Sequence, residues 1–269
     1  MSFAKRFKVK PGKKVDLADW DPGYTDGFEH KEDAEELLAK NIRRLDELQY
    51  LLYAENRRAV LIVLQGMDAS GKDGTIRHVM SGLNPQGCRV TSFKAPSAEE
   101  LAHDFLWRIH RAAPAKGELG IFNRSQYEDV LVVRVHELVP RKVWSKRYDQ
   151  INGFERHLAE SEVHVIKFFL HISKDEQSAR FQARLEDPTK LWKASEADFA
   201  ERKHWDDYME AYEDAIGRCS TKDAPWYIIP ANRKWFRDLV VSQAIVETLE
   251  GLDMKFPKPT IDVKKIKIV

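Results

Sequence analysis

A glycine-rich segment that ends in a lysine is the part of this sequence whose residue types and spacing point most directly to chemistry. It reads GMDASGKDGT over residues 66–75 and follows the apolar run at 59–64. Gly66 and Gly71 let the backbone curl so that successive N–H groups point inward, and Lys72 adds a cation where β- and γ-phosphates would lie. A helix starting near Lys72 would direct its N-terminal dipole at the same anion. We therefore predict a phosphate-binding loop, the P-loop, with phosphate ligands at Gly66, Ala69, Ser70, Gly71, Asp73 and Gly74.

The end of this loop departs from the usual pattern. A Ser or Thr normally follows the lysine and binds Mg²⁺, but Asp73 fills that position and a second carboxylate, Asp68, lies inside the loop. Metal binding must therefore be arranged differently. The alternative interpretation is a chance glycine-rich turn, which is opposed by the strand-like run before the loop and by the helical spacing of Ile76, Val79 and Leu83 after it.

A second set of polar residues is expected at the end of the strand beside the P-loop strand. In P-loop folds that strand commonly ends in a carboxylate that organises Mg²⁺. Here it ends in Asn123-Arg124, which lacks the carboxylate but keeps a guanidinium able to contact two phosphate oxygens. The metal then needs carboxylates elsewhere: Asp68, with Glu128 or Asp129 approaching from the other side. Either of the last two could instead stabilise the first turn of a helix.

The segment 180–193 has the composition of a mobile lid. It ends a helix at Asp187-Pro188 and contains four cations, Arg180, Arg184, Lys190 and Lys193. A lid that closes over phosphates brings positive charge to the transition state and excludes water, so that phosphoryl transfer competes successfully with hydrolysis. The alternative interpretation is a solvated helix followed by a plain turn.

The elements that must position these residues follow from hydrophobic periodicity. Strands fit residues 59–64, 89–93, 120–122, 163–172 and 226–230. Helices fit residues 31–56, 98–110, 128–138, 143–160, 175–186, 196–218 and 235–249. Strands separated by helical segments predict an α/β fold, with a parallel sheet of about five strands flanked by helices on both faces.

Composition limits the protein class. The chain has 269 residues, of which 43% are hydrophobic and 32% charged, with a net charge of +1. One main domain at 31–250 is expected, preceded by a basic, Pro/Gly-rich extended arm at 1–30 with little regular structure, and followed by a tail at 251–269 that forms an edge strand or lies exposed. A near-neutral chain needs a local anion site, since its whole surface does not attract polyanions.

Compartment and partners can also be predicted. The apolar runs are far shorter than the roughly 20 residues of a membrane span, and the N-terminus lacks a signal-peptide core, so we expect a cytoplasmic protein without membrane contact. Cys88 and Cys219 have no metal-binding or redox spacing, which predicts reduced thiols. No nucleic-acid partner is expected.

Three segments, at 66–74, 122–131 and 187–193, together closely resemble the type-2 polyphosphate kinases, and the resemblance extends from Lys31 to Leu249. It implies a P-loop kinase fold related to thymidylate kinase, with a helical lid at 180–198. It implies that phosphoryl groups move in either direction between inorganic polyphosphate and nucleotides with Mg²⁺, for which Mn²⁺ could substitute. The Asn123-Arg124-Ser125 version resembles the subgroup that accepts both AMP and ADP. Such enzymes are expected to form homo-oligomers.

The resemblance also implies residue roles. Asp68 would bind metal; independently of the resemblance, the strand-end argument leads us to assign Asp129 as a second metal ligand. Lys72 and Arg124 would hold the transferring phosphoryl group, and the segment from Arg184 to Lys193 would close as the lid, with Arg184 catalytic and Lys190 and Lys193 on phosphates. Asn123 and Glu128 are placed beside the nucleotide.

Polyphosphate carries about one negative charge per phosphate and offers no bases to read, so it needs a row of cations. We assign this row to Arg77, Arg89, Lys94 and Lys116, with Arg134 and Lys146 as further members. A solvated basic surface is the alternative explanation for such a cluster.

Three other functions remain to be distinguished. The first is a nucleoside monophosphate kinase that uses ATP as donor. The second is a P-loop ATPase that binds nucleic acid through its basic N-terminal arm. The third is a structural protein with an inactive loop, which Lys72 and the two loop carboxylates argue against.

Overall fold

A five-stranded parallel sheet forms the centre of the protein. The computed structural model describes residues 3–28, 30–193, 195–262 and 266. The strands are β1 (Ala59–Gln65), β2 (Cys88–Ser92), β3 (Leu119–Asn123), β4 (Val163–His171) and β5 (Trp226–Pro230). They lie in the order β2-β3-β1-β4-β5, and every neighbouring pair is parallel. The predicted α/β fold with five parallel strands is therefore confirmed.

Helices cover both faces of this sheet. They are α1 (Lys31–Glu55), α2 (Lys72–Val79), α3 (Ala98–Leu101), α4 (Trp107–Ala112), α5 (Val132–Val135), α6 (Arg141–Glu160), α7 (Lys174–Glu186), α8 (Glu196–Glu201), α9 (Trp205–Cys219) and α10 (Lys234–Glu250). Alternate residues of β1 enter two different apolar clusters, Val60 and Ile62 on one face and Leu61 and Val63 on the other. Because β1 is buried on both sides, its sequence is continuously apolar.

The strand order determines where the site forms. β1 lies between β3 and β4, so the P-loop that follows β1 and the residues that follow β3 meet at one edge of the sheet. Leu64 of β1 pairs with Asn123 of β3, and the amide of Arg124 donates to the Leu64 carbonyl at 3.0 Å. We refer to this edge as the carboxyl edge, where open parallel sheets bind ligands.

Three predicted helices are interrupted. The helix expected at 98–110 is split into α3 and α4, and the Asp104 carboxylate between them accepts from the Leu106 amide at 3.0 Å. A side chain that bonds nearby backbone in this way competes with the helical ladder. The segment expected at 128–138 holds a 3₁₀ turn (Gln126–Asp129) and the short α5. The helix expected at 196–218 is divided into α8 and α9 by a 3₁₀ turn (Arg202–His204).

The N-terminal arm packs on the main domain. Its described regular structure is limited to two 3₁₀ helices (Phe3–Phe7 and Leu17–Asp19), in line with the expectation of little regular structure. It is not a detached arm, because Phe7 and Val9 are buried and the Val9 amide donates to the Trp226 carbonyl of β5 at 2.8 Å. The arm thereby covers the edge of the sheet at β5, whose backbone groups would otherwise stay unpaired.

The two ends and the cysteines complete the description. Between Gly251 and Asp262 the chain contains no helix or strand, and most of the tail beyond, where an edge strand was one expectation, lies outside the described residues. Cys88 and Cys219 are free thiols, as predicted. In the described ranges no helix has the length and apolarity needed to cross a bilayer.

Candidate active site

The P-loop has the backbone conformation that its glycines predict. Gly66 and Gly71 have φ of 151° and 103°, and Ala69 has φ of 63°. A Cβ at position 66 would lie 2.8 Å from the Leu170 carbonyl, and one at position 71 would lie 1.8 Å from the Arg237 guanidinium. Larger residues are therefore excluded at both glycines for reasons of space as well as conformation.

The carbonyls of this loop accept hydrogen bonds from protein side chains. Lys72 Nζ donates to the Gly66 carbonyl at 2.6 Å, Gln177 Nε2 donates to the Asp68 carbonyl at 2.9 Å, and Arg180 donates to the next two carbonyls. Within the described chain, the amides of Asp68, Ala69 and Gly71 find no protein acceptor, and the first-turn amides of α2 lie beside them. These amides are therefore free to donate to an anion.

Not every predicted phosphate ligand contributes in the same way. The Ser70 amide donates to the Met67 carbonyl at 3.0 Å, and the Ser70 side chain is fully buried. Ser70 therefore shapes the loop, while Ala69, Gly71 and Gly74 present backbone to the anion side.

Lys72 is the cation at the centre of the loop. It is the first residue of α2 and its side chain is mostly buried. Burial, with a smaller contribution from Arg124, lowers the pKa of Lys72 to about 8. A phosphate beside Nζ would restore the charged form, because an opposite charge favours it.

Arg124 follows β3 and joins two carboxylates. Its guanidinium lies 2.8 Å from Asp68 Oδ1 and 3.2 Å from Glu128 Oε2. Burial alone would lower the pKa of Arg124, but Glu128 and Asp68 raise it above its usual value. The residue has φ of 64°, a conformation that non-glycine residues adopt at a cost of about 1 kcal/mol or more.

A buried polar network supports the turn that carries Arg124 and Glu128. Glu155 of α6 accepts from Gln126 and from the Tyr127 hydroxyl, each at 2.9 Å. Lys167 of β4 donates to the same hydroxyl at 2.8 Å and forms an ion pair with Glu155. Because these side chains are almost completely buried, the network fixes the turn against the sheet.

Asp73 lies at the opening of the P-loop. Its Oδ1 accepts from Asn123 Nδ2 at 2.7 Å, and Lys193 Nζ from the lid lies 4.0 Å from its other oxygen. The residue after the P-loop lysine, which usually binds metal through a hydroxyl, is thus an aspartate whose carboxylate is held by Asn123 at the end of β3. This contact brings together the two departures from the usual motif that the sequence shows.

The carboxylates near Arg124 fit a hexacoordinate Mg²⁺ site of the kind that proteins complete with phosphates and water. Such a site needs only one or two carboxylates from the protein, which Asp68 and Glu128 provide on either side of Arg124. No set of three or more His, Cys, Asp or Glu residues suited to a metal occurs in the described part of the chain.

Asp129 points to a different partner. Its carboxylate lies 2.8 Å from Arg147 Nη1, and burial raises its pKa to about 6 although Arg147 opposes the shift. Glu128 and Asp129 are the two candidates for a second metal carboxylate. Glu128 shares Arg124 with Asp68, whereas Asp129 anchors α6. The assignment of Asp129 to a metal gains no support from these contacts.

The charged residues of the lid segment pair mainly with one another. Arg184 donates to Asp198 at 2.9 Å and to the Lys193 carbonyl at 3.2 Å, and Lys190 forms an ion pair with Asp187. Burial raises the pKa of Asp198, and the charges of Asp68 and Arg124 also act on it. Asp198 is therefore close to the site, a position that its place in a predicted helix did not reveal.

The assigned polyphosphate row does not converge on the P-loop. Lys94 follows β2 at the carboxyl edge, beside the Arg108 guanidinium that bonds its carbonyl at 2.8 Å. Arg77 is exposed in the last turn of α2, and Arg89 is exposed near the start of β2. Lys116 precedes β3, so it lies at the opposite edge, about 15 Å or more from Arg124.

The two further proposed members of the row lie on helices that follow β3. Arg134 of α5 forms ion pairs with Glu210 and Asp214 of α9. Lys146 lies in α6 next to Arg147, which contacts Asp129 in the turn after β3.

Sequence reasoning missed several residues that shape this site. Gln177 and Arg180 contact the P-loop from α7, and Arg237 of α10 donates to the Ser70 carbonyl at 3.3 Å. Arg180 was visible in the sequence as one of the lid cations, and its spacing of four from Arg184 placed both on one helical face. Nothing in the local sequence indicated that Arg237 would be buried beside Gly71.

Comparisons with known proteins agree with this geometry. The family model described as polyphosphate kinase 2 matches residues 28–257. An AMP/ADP-polyphosphate phosphotransferase of Meiothermus ruber is 56% identical over 98% of this chain and 99% of its own length. An ADP-polyphosphate phosphotransferase of Rhodopseudomonas palustris is 52% identical over 95% and 93%, respectively. The crystal structure of a polyphosphate kinase 2 from Arthrobacter aurescens TC1 superimposes with a TM-score of 0.94 at 46% identity, covering 98% of this chain and 94% of that one.

Proposed function

The chain belongs to the polyphosphate kinase 2 family, and we propose that it transfers phosphoryl groups between inorganic polyphosphate and nucleotides in both directions. The observation that carries this proposal is the position of Arg124. It stands between Asp68 and Glu128, next to a P-loop whose amides at Asp68, Ala69 and Gly71 have no acceptor in the described chain. A cation, two carboxylates and an amide cradle are the components that phosphoryl transfer requires.

The chemistry follows from these positions. A terminal phosphate oxygen of the nucleotide attacks the terminal phosphorus of polyphosphate, and the bond from that phosphorus to the next bridging oxygen breaks. One product is the nucleotide longer by one phosphate, and the other is polyphosphate shorter by one. The P-loop amides, Lys72 and Arg124 hold the transferring group, because their charge matches its equatorial oxygens.

We propose Mg²⁺ as the metal, with Mn²⁺ as a substitute, held by Asp68 and Glu128 together with phosphate oxygens and water. When bound, the metal neutralises charge between the two phosphate groups. Asp73 and Asn123 hold each other at the loop opening and so keep the nucleotide side of the site in a defined shape.

For the acceptor, we propose that both AMP and ADP are used. The Meiothermus ruber relative carries both in its name and the Rhodopseudomonas palustris relative carries ADP alone. The higher identity to the first favours the broader acceptor range. Asn123 and Glu128 are the proposed contacts on the nucleotide side.

The test is a substrate panel. Protein, Mg²⁺ and long-chain polyphosphate are incubated separately with AMP, ADP, GMP and GDP, and nucleotide products are followed by chromatography. We expect AMP to give ADP and ADP to give ATP, and Lys72→Ala to lose at least about a hundredfold in rate. The control Lys222→Ala, an exposed lysine before β5, should keep wild-type activity.

The outcome that contradicts the proposal is equally concrete. If AMP is phosphorylated only when ATP replaces polyphosphate, the protein is an ATP-dependent nucleoside monophosphate kinase. If Lys72→Ala stays within threefold of wild type, the P-loop does not hold the transferring phosphoryl group.

A further inference from the structure

Arg180 of α7 uses all of its hydrogen-bond donors on the protein. Its Nη1 donates to the Ala69 and Ser70 carbonyls at 2.9 and 3.0 Å, and its Nη2 donates to the Ala231 and Asn232 carbonyls at 2.6 and 3.1 Å. Its Nε donates to Glu176 at 2.8 Å. A guanidinium has five N–H donors, so none remains for a substrate phosphate. This lid cation therefore has a different task from Arg184.

We propose that Arg180 is a positioning residue that fastens helix α7 to the outer side of the P-loop, and thereby fixes both the loop amides and Arg184. Two carbonyls bound by Arg180 belong to the P-loop, and the other two follow β5. Its side chain is 9% exposed, so solvent does not replace these bonds easily. The part of the proposal that concerns turnover rests on the proposed function.

The bonded carbonyls determine the direction of the amides. A trans peptide is planar, with its C=O and the following N–H pointing in opposite directions. Gln177 Nε2 holds the Asp68 carbonyl toward α7, which directs the Ala69 amide away from α7. Arg180, together with Arg237 at 3.3 Å, holds the Ser70 carbonyl toward the guanidinium groups, which directs the Gly71 amide away from them. Neither of these two amides has an acceptor in the described chain, so both remain available for phosphate.

The same contacts separate a fixed part of the lid from a part that can move. Gln177 and Phe181 are almost completely buried, so the first turns of α7 are docked on the domain. Arg184 is one turn beyond Arg180 and is therefore held at a set distance from the P-loop. Closure must begin beyond α7, after the Asp187-Pro188 turn, rather than at residue 180. Arg184 then keeps its position while the segment moves, and the moving segment contacts it through Asp198.

The experiment compares Arg180→Lys, Arg180→Gln and two controls. Lysine keeps the positive charge but has a single donor atom, which cannot span four carbonyls. Positioning predicts that Arg180→Lys fails nearly as badly as Arg180→Gln, whereas a purely electrostatic role predicts that the lysine variant works. The matched controls are Arg58→Lys and Arg58→Gln, because Arg58 is also partly buried and ion-paired but lies before β1 at the opposite edge of the sheet.

Three measurements are made on each variant. Hydrogen exchange of the ligand-free protein should show residues 174–186 opening at least about tenfold faster in both Arg180 variants, with β1 and β4 unchanged. Calorimetry with inorganic tripolyphosphate should show at least about tenfold weaker binding for both. With polyphosphate and ADP, turnover should fall by about a hundredfold while the Michaelis constant for ADP stays within threefold. Arg58 variants should match wild type in all three.

The outcomes are distinguishable. Wild-type exchange in α7 or wild-type tripolyphosphate binding in Arg180→Lys overturns the proposal. Faster exchange throughout the sheet also overturns it, because Arg180 would then be needed for the fold as a whole. If the wild-type protein shows no polyphosphate-dependent transfer, the proposed function fails, and exchange in α7 still decides the positioning role. Gln177→Leu, which removes the bond to the Asp68 carbonyl and the bond that Gln177 Oε1 accepts from Arg202 at 2.8 Å, should give a smaller effect of the same kind.

Discussion

At the scale of residues, the two arginines of the site are paired with carboxylates of the protein itself. Arg124 is paired with Asp68 and Glu128, and Arg184 is paired with Asp198. Lys72, which has only carbonyl partners, responds to burial with a lowered pKa. Under the proposed function, substrate phosphates would displace carboxylates from these arginines, whereas Lys72 has no carboxylate partner in the described chain to give up. Lys72 is thus the group through which pH should act on phosphate binding.

The first prediction concerns this lysine. With a pKa of about 8, Lys72 is charged below pH 8 and becomes neutral above it, so tripolyphosphate binding should weaken by up to about tenfold per pH unit above 8. Lys72→Arg keeps its charge at every pH used. Calorimetry from pH 7 to 9.5 should therefore show the ratio of wild-type to Lys72→Arg affinity falling as pH rises. A constant ratio would contradict the lowered pKa.

The second prediction concerns the carboxylates. Asp68→Asn should raise the Mg²⁺ concentration needed for half-maximal activity by at least about tenfold, because Asp68 and Glu128 are the carboxylates beside Arg124. Asp129→Asn should leave it unchanged, because that carboxylate faces Arg147. Mg²⁺ titration of both variants measures this directly. An equal rise in both would show that Asp129 also meets the metal, as the sequence first suggested.

At the scale of elements, the site depends on how three segments end at one edge. β1 ends in the P-loop, β3 ends in Asn123-Arg124, and β4 leads into α7, which lies against the loop. Beyond α7, α8 returns Asp198 to Arg184. The lid segment is therefore attached to the domain through α7, and its far part contacts Arg184 through Asp198, as a closing segment requires.

The third prediction separates turnover from binding. Arg184→Ala should lower turnover by about ten- to a hundredfold and change the nucleotide dissociation constant by less than threefold, because a cation held at a set distance from the P-loop acts mainly on the transition state. Arg218→Ala, which loses an exposed pair with Asp214 and a cation–π contact with Tyr148, serves as the control. Single-turnover kinetics and calorimetry together make the measurement. Unchanged turnover with weakened nucleotide binding would instead indicate a rigid ground-state contact.

At the scale of the whole molecule, the basic residues occupy both edges of the sheet. Lys94 is at the carboxyl edge and Lys116 at the other, so a short anion at the P-loop can reach only the first. The net charge of +1 makes any attraction for polyanions local. A long polyphosphate chain is the one substrate that could contact both regions at once.

The fourth prediction follows from this placement. Lys94→Ala should raise the Michaelis constant for short and long polyphosphate, whereas Lys116→Ala should affect long chains alone. In wild type, raising salt to about 0.3 M shortens the Debye length to roughly 6 Å. The Michaelis constant for long polyphosphate should therefore rise steeply, while the Michaelis constant for ADP changes little. Steady-state kinetics at two chain lengths and two salt concentrations decides this. Equal salt responses for both substrates would mean that the basic residues form a solvated surface.

The sequence alone determined the main chemistry and the sheet. The glycines and lysine of the P-loop act through local backbone geometry, and strand–helix alternation leads to a parallel sheet whose strand ends share one edge. From these two rules the sequence correctly predicted that Lys72, Asp68 and Arg124 lie close together. The bounds of the five strands agree with the prediction to within two residues for the same reason, because buried strands have a strong apolar signal.

Only the tertiary structure decided which side chains serve the site and which serve the fold. Glu128 and Asp129 are adjacent in sequence, yet one turns to Arg124 and the other to Arg147. Arg180 and Arg184 share a helical face, yet the first is fully used by backbone carbonyls and Glu176. The arm that composition predicted as extended covers the β5 edge with buried side chains. In each case the deciding partner is remote in sequence, and local spacing carries no information about which distant group a long side chain will meet.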